Sequence, residues 1–370
     1  MKRTNWYALN DTHDVITPAL LVYPDWILHN IRTMIEMAGG AERLRPHIKT
    51  HKTAEIIEMQ LDQGVKKFKC ATIAEAELLA MCNAPDILLA MQPVGTNIQR
   101  FFELMSKYPE SKFSALVDTP DILDALSDMA KSQKVVVSLW MDINCGMNRT
   151  GILPDENAVT LYRRMDADPN VDAKGLHAYD GHIRNTEVTL RKEVCDASFA
   201  TVTDLKKELE STGTQVAGIV AGGSPTFPFH ARRNGVEASP GTTLLWDAGY
   251  GGQFPEMEFL PAAVLLTRVI SRPSKKTICL DLGHKHLASE MPFPRVDFLN
   301  AENCTQKGQS EEHFVLECEN TKDYAVGDVF YAVPVHICPT VAKYTNLEVV
   351  SEGRIIDSWE VAARNQRISI

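Results

Sequence analysis

Lys67-Phe68-Lys69-Cys70-Ala71-Thr72-Ile73-Ala74-Glu75 reads as a short strand that turns directly into a helix. Residues 67–71 are strand-like. Thr72 and Glu75 then form a capping box, each side chain satisfying a backbone donor that the first helical turn leaves orphaned. The same strand-then-helix unit recurs on both sides. Ala19-Leu20-Leu21-Val22-Tyr23 reads as a strand, followed by an amphipathic helix over 25–40 that ends at Gly39-Gly40. Asp86 to Met91 and Phe113 to Val117 are strand-like. Thr119-Pro120-Asp121 opens a helix with proline early, where its missing N–H costs nothing. Val135 to Asp142, Ala173 to Tyr179 and Val216 to Ala221 complete the series. Several of these strands are unbroken apolar runs, as expected where both faces of a parallel sheet are buried.

About eight such units over the first 250 residues predict a (β/α)8 barrel. An open doubly wound sheet is the competitor, but no GxGxxG follows the first strand. After Gly252 the pattern changes to short strands punctuated by Gly and Pro, including Ala263 to Ile270, Lys276 to Asp281, His313 to Glu317, Val329 to Val335 and Leu347 to Val350. The expected organisation is a barrel over residues 15–255 followed by a C-terminal all-β domain, a small barrel or sandwich, over 256–370. Residues 1–14 are expected to join the β domain, because chain ends often lie close together.

The chain has 370 residues, 44% hydrophobic and 23% charged, ordinary for a soluble enzyme with a large core. A formal net charge of -10 argues against nucleic-acid and anionic-membrane partners. Met1 to Tyr7 is polar, with no secretory h-region, and no apolar run is long enough to span a bilayer. The eight cysteines have no regular spacing and read as reduced cytosolic thiols. The expected location is cytoplasmic.

The polar motifs follow the strands, where a (β/α)8 barrel builds its active site. Arg45-Pro46-His47-Ile48-Lys49-Thr50-His51-Lys52 is the densest of them. In an extended chain Arg45, His47, Lys49 and His51 share one side. Crowding by cations disfavours a charged Lys49 and makes it a nucleophile toward carbonyls; the plain alternative is a basic surface loop. Asn148-Arg149-Thr150 and Tyr179-Asp180-Gly181-His182 follow later strands. Gly222-Gly223-Ser224-Pro225-Thr226 and Ser239-Pro240-Gly241-Thr242 resemble an anion site, or else a pair of tight turns. A reactive lysine with an anion site suggests a phosphorylated aldehyde, hence pyridoxal phosphate.

Pro334-Val335-His336-Ile337-Cys338-Pro339-Thr340 forms a second constellation. Extended, it puts His336 and Cys338 on one face, able to share a metal, with zinc favoured by the thiolate; two core residues are the bland reading. His284 and His286 are further, weaker candidates. Trp246 to Tyr250 reads as packing.

These motifs resemble those of the D-threonine aldolase and D-serine dehydratase family, relatives of bacterial alanine racemase. RPHIKTHK is similar to the family's cofactor-lysine motif, GLHAYDGH to its tyrosine segment, AGGSPT and SPGTT to its phosphate loops, and VPVHICPT to its metal motif. The resemblance covers nearly the whole chain in the same order. It implies that Lys49 carries pyridoxal 5'-phosphate and that Arg149 and Tyr179 contact its ring or phenolic oxygen. Gly222, Gly223, Ser224, Gly241 and Thr242 would hold the phosphate. His336 and Cys338 would bind a divalent metal, zinc or manganese, that grips a substrate β-hydroxyl. His51 or His182 would serve as general base.

The implied reaction is retro-aldol cleavage of a D-β-hydroxy amino acid to glycine and an aldehyde, with β-elimination to an oxo acid and ammonia as the alternative. Aldolase members carry H-x-D where this chain has the dehydratases' H-x-C. The Pro-Thr that follows is aldolase-like, and GGSPT leans toward the dehydratases. A non-catalytic pyridoxal-phosphate carrier and an amino-acid racemase are the readings from other classes. A homodimer is expected.

Overall fold

The computed structural model describes residues 5–301 and 303–370, so residues 1–4 of the N-terminal segment lie outside the described residues. The chain divides into two compact units. One comprises residues 34–49, 57–241 and 365–370. The other comprises the described residues to 33, residues 50–56 and residues 242–364.

The run at Ala19–Val22 is a strand, β1, but it belongs to the second unit. The first unit is built on a parallel sheet of β2 (Lys67–Cys70), β3 (Asp86–Leu89), β4 (Lys112–Val117), β5 (Val137–Ile143), β6 (Val171–Ala178), β7 (Gly218–Ala221) and β8 (Val236–Ala238), in sequential order. The eighth stave of the barrel is therefore not Ala19–Val22, as the alternation suggests. It is the segment Leu44–His47. Parallel bridges join Leu44 to Ala238 and His47 to Lys69. Arg45 N–H donates to Ala238 O (2.9 Å), His47 N–H to Pro240 O (2.8 Å) and Lys69 N–H to Pro46 O (2.8 Å). This stave is hard to see in sequence because Pro46 has no N–H for the ladder toward β2, and proline reads against a strand.

Helices at 73–81, 96–107, 120–133, 156–167 and 188–211 follow successive strands. The Thr72 hydroxyl accepts Glu75 N–H (3.1 Å), while the Glu75 carboxylate reaches back to Ala71 N–H (2.6 Å). Thr119 caps the helix that has Pro120 in its first turn. Leu88, Leu116, Trp140 and Val220 form one buried cluster, contributed by four different staves.

The second unit holds the remaining strands: β9 (Ala263–Ser274), β10 (Thr277–Leu280), β11 (Val296–Phe298), β12 (Cys304–Gln309), β13 (Phe314–Cys318), β14 (Val329–Pro334), β15 (Asn346–Ser351) and β16 (Arg354–Glu360). They run β12-β13-β10-β9-β1-β15-β16, with β14 also on β9 and β11 on β14. β1 pairs antiparallel with β9 (Leu21↔Val264) and parallel with β15 (Leu21↔Glu348). Its four residues are all buried, which explains why an internal strand of this sheet looks like a barrel strand. Leu9, Leu21, Tyr23, Val264, Tyr331 and Val350 share its core, and Leu9 N–H donates to the Tyr331 hydroxyl at 3.0 Å.

The expectation of uniformly reduced cysteines is corrected here. Cys304 and Cys318 are register partners on β12 and β13 and form a disulfide; the other six cysteines remain thiols. Among the described residues no helix is long and apolar enough to cross a membrane.

Candidate active site

In the barrel unit the RPHIK segment is extended only through His47. Ile48–Thr50 is a 3-10 turn, so the four side chains do not share a face. Arg45 runs instead to Glu237 (2.6 Å) and Asp86 (2.6 Å), with its Cζ 5.7 Å from the centroid of the Trp140 ring. The His47 Nδ1 accepts Lys49 N–H at 3.2 Å and fixes the turn. Lys49 Nζ then stands 5.5 Å from the centroid of Tyr179, and the Arg149 guanidinium stands 4.9 Å from the same ring. A Cβ on Gly223 would come 3.0 Å from Tyr179 Cε2, so glycine lets the loop after β7 lie against this ring.

Ser224 Oγ accepts Gly241 N–H at 3.3 Å, tying the two anion-site loops together within this unit. Thr226 Oγ1 accepts Gly223 N–H (3.3 Å) and donates to Asp180 Oδ1 (2.7 Å). Asp180 Oδ2 lies 2.7 Å from His230 Nε2, and Arg233 donates to His230 Nδ1 (2.5 Å), so the ring hydrogen faces Asp180. Burial would raise the Asp180 carboxyl, but His230 and Thr226 hold it below the usual range. Cys195 lies beside them, its thiol pushed up to about 12 mainly by burial. Asp180, Cys195 and His230 are close enough to ligate an ion. Their lone pairs and hydrogens are already engaged with one another, and Arg233 adds a cation. The cluster is a hydrogen-bonded buttress behind Tyr179 and the loop. His182 is exposed, with Nε2 2.8 Å from where a Cβ on Gly146 would stand, in the loop that carries Arg149.

The second unit holds the other expected residues. β14 ends at Pro334, and Ile337–Val341 is one short helix with His336 at its N-cap. The segment is therefore not extended, yet the His336 and Cys338 side chains are close enough to shift each other's titration. Asp247 Oδ2 accepts Ile337 N–H (3.1 Å) and fixes the start of the turn. Cys338 Sγ is 3.1 Å from Thr50 Oγ1 and 3.6 Å from Thr242 Oγ1. Burial raises the thiol, but His336 and Thr50 outweigh it and bring it below its ordinary value. The imidazole is pushed up to about 9, first by Cys338, with Glu290 Oε1 adding a contact at 2.6 Å. Thr50 directly follows Lys49 in the chain, and Thr242 directly follows Gly241.

His51 is fully buried, and burial pulls its pKa down to about 3. Its Nδ1 accepts Thr53 N–H (3.3 Å), which leaves the hydrogen on Nε2, and that atom has no partner among the described residues. In this tautomer His51 offers a donor and not a base. His286 is 3.5 Å from Glu312, and no hydrogen bond among the described residues joins His284 or His286 to His336 or Cys338.

The residues fit the two groups that the motifs imply. A lysine and an arginine on one tyrosine ring, two tied loops, and an orphaned buried His177 Nε2 suit a phosphorylated aromatic aldehyde. An imidazole beside an acidified thiol, with a carboxylate at hand, suits a borderline-soft divalent ion.

The family model described as alanine racemase, N-terminal domain, matches residues 22–248. The chain belongs to this family. A second model, a serine dehydratase domain, matches residues 262–350. The chain is 27% identical over 359 residues to D-threonine aldolase of Arthrobacter sp, covering 95% of this chain and 93% of that one. It is 26% identical over 373 residues to 3-hydroxy-D-aspartate aldolase of Paracoccus denitrificans strain Pd 1222, covering 96% and 94%. The solved D-threonine aldolase of Filomicrobium marinum superposes with a TM-score of 0.88 at 25% identity, covering 95% of this chain and 96% of that one.

This alanine racemase family member also carries site residues that motif reading passes over. His177 Nδ1 is 2.7 Å from Asp142 Oδ1, and Gln92 bridges Asp142 (3.0 Å) and Asp118 (2.8 Å). Lys69 on β2 is 2% exposed. Lys69, Asp142 and His177 are polar residues within β2, β5 and β6. Register shows that Asp142 and His177 are direct partners and so point to the same side. A polar residue inside a strand was the signal available in the sequence.

Proposed function

We propose that this protein is a pyridoxal-phosphate- and divalent-metal-dependent lyase that cleaves D-β-hydroxy amino acids to glycine and an aldehyde. The observation that carries the reading is the placement of the Lys49 amine and the Arg149 guanidinium on one Tyr179 ring. Pyridoxal phosphate, when bound, supplies an electron sink for a carbanion at the substrate's α-carbon. A zinc or manganese ion on His336 and Cys338 supplies Lewis acidity at the β-hydroxyl.

Lys49 would hold the aldehyde end of the cofactor, and Tyr179 and Arg149 would orient its ring. Gly222, Gly223, Ser224, Gly241 and Thr242, on the two tied loops, would hold the phosphate. His182 takes the hydroxyl proton as the Cα–Cβ bond breaks. His51 donates through Nε2, which its tautomer favours over the role of base. We place the enzyme in the cytoplasm as a homodimer, in keeping with its net charge of -10 and the family resemblance. It acts on a small-molecule substrate and on neither nucleic acid nor membrane.

A second reading is β-elimination, in which Lys49 removes the α-proton, hydroxide departs, and an oxo acid and ammonia result. The Cys338 ligand and the serine dehydratase match over 262–350 favour it. Product analysis decides. Purified protein with pyridoxal phosphate, D-threonine and manganese or zinc gives glycine and acetaldehyde under the first reading. It gives 2-oxobutanoate and ammonia under the second. Full activity as a racemase after chelation, or cofactor binding with no turnover of any D-amino acid, sinks both. Lys49→Ala should lose the cofactor's absorbance band, and retention of the band would remove Lys49 from its role.

A further inference from the structure

A second lysine lies where only one is used. Lys69 on β2 is 2% exposed, and its Nζ stands 5.8 Å from the Tyr179 centroid, on the ring that Lys49 and Arg149 also face. Its backbone is locked to the Lys49 stave by the His47 bridge and the bond to Pro46 O. Among the described residues Nζ makes no hydrogen bond or ion pair. A buried ammonium without an acceptor is costly, so the site favours a ligand that brings one.

We propose that Lys69 is a second positioning amine, which donates to an anionic oxygen of the molecule held over Tyr179. The inference rests on the function proposed above and deepens it. The oxygen has two possible sources of the same chemistry: the phenolic oxygen of pyridoxal phosphate, or a carboxylate of the amino-acid substrate. The charged groups around Nζ explain its need. Its pKa is pulled down to about 7, first by burial and then by Lys49 and Arg45, against Asp142 and Asp180. His177 and Arg149 complete the surroundings. An incoming anion restores the proton, so binding is coupled to proton uptake near neutral pH.

The test titrates the full-length protein and Lys69→Met with pyridoxal phosphate, followed by absorbance, and then with D-threonine. A tenfold weaker cofactor Kd in Lys69→Met that disappears with 3-O-methyl pyridoxal phosphate assigns the oxygen to the cofactor. An unchanged cofactor Kd with tenfold weaker D-threonine binding assigns it to the substrate. Unchanged affinity for both overturns the proposal. Lys69→Arg keeps a fixed charge and covers the case in which Lys69→Met does not fold. Its affinity should lose the fall that the parent shows as pH rises from 6 to 8, and identical pH profiles also overturn the proposal. Absence of any cofactor band in the parent protein is a different result: it removes the functional reading itself, and this inference with it.

Discussion

The Arg45 guanidinium donates to Asp86 through Nη1 and to Glu237 through Nε, both at 2.6 Å, so one cation joins β3, β8 and the closing stave. Lys49, four positions on, turns to the Tyr179 ring instead. One short motif thus divides its labour between barrel closure and chemistry. Arg45 is 2% exposed, and removing one partner from a buried ion network typically costs about 3–5 kcal/mol. Arg45→Met should lower stability by about 3 kcal/mol in urea denaturation while the cofactor band persists. A loss below about 1 kcal/mol would show that the pair is solvated and idle.

Cys338 offers a thiol already acidified by His336 and Thr50. Cys338→Ser should weaken zinc binding in equilibrium dialysis by about tenfold or more and leave pyridoxal-phosphate binding intact. Cys338→Asp, a harder ligand, should favour manganese and raise the share of glycine among the products. Equal zinc affinity in all three proteins would take Cys338 out of the metal site.

His51 makes stability pH-dependent with a definite sign. Its folded pKa is about 3 against an ordinary 6.5. Above pH 6.5 both folded and unfolded chains hold it neutral, and its contribution is complete. As pH falls from 6.5 toward 3 the unfolded chain takes up a proton that the folded chain refuses, so stability drops by up to about 1.4 kcal/mol per pH unit from this group. His51→Gln should flatten the urea-midpoint profile between pH 6.5 and 4 relative to the parent. A parallel profile would mean that His51 gains its proton without unfolding.

Strand and helix alternation is legible where a strand runs straight into a capped helix, as at Cys70-Ala71-Thr72. Periodicity carries no information about which sheet a fully buried strand joins. Ala19–Val22 is as apolar as any stave, and only its partners Val264 and Glu348 reveal its place. Lys49, Arg149 and Tyr179 were legible as motif residues, and the structure places them around one ring. Lys69 and His177 were not, because a polar residue within a strand has no local signature of what faces it across a barrel. The direction of Arg45 was likewise hidden, since the 3-10 turn at Ile48–Thr50 breaks the alternation that extended geometry assumes.

The position of β1 bears on how the chain is made. Leu21 precedes every barrel strand in the chain, yet it pairs with Val264 and Glu348, which follow them all. An apolar strand must therefore stay unpaired while the whole barrel is translated, exposed to chaperones and to aggregation. Truncation before residue 346 would leave it with one edge open. Expression of residues 242–370 alone would leave a slot in the sheet that a peptide spanning Ala19–Val22 could fill in trans.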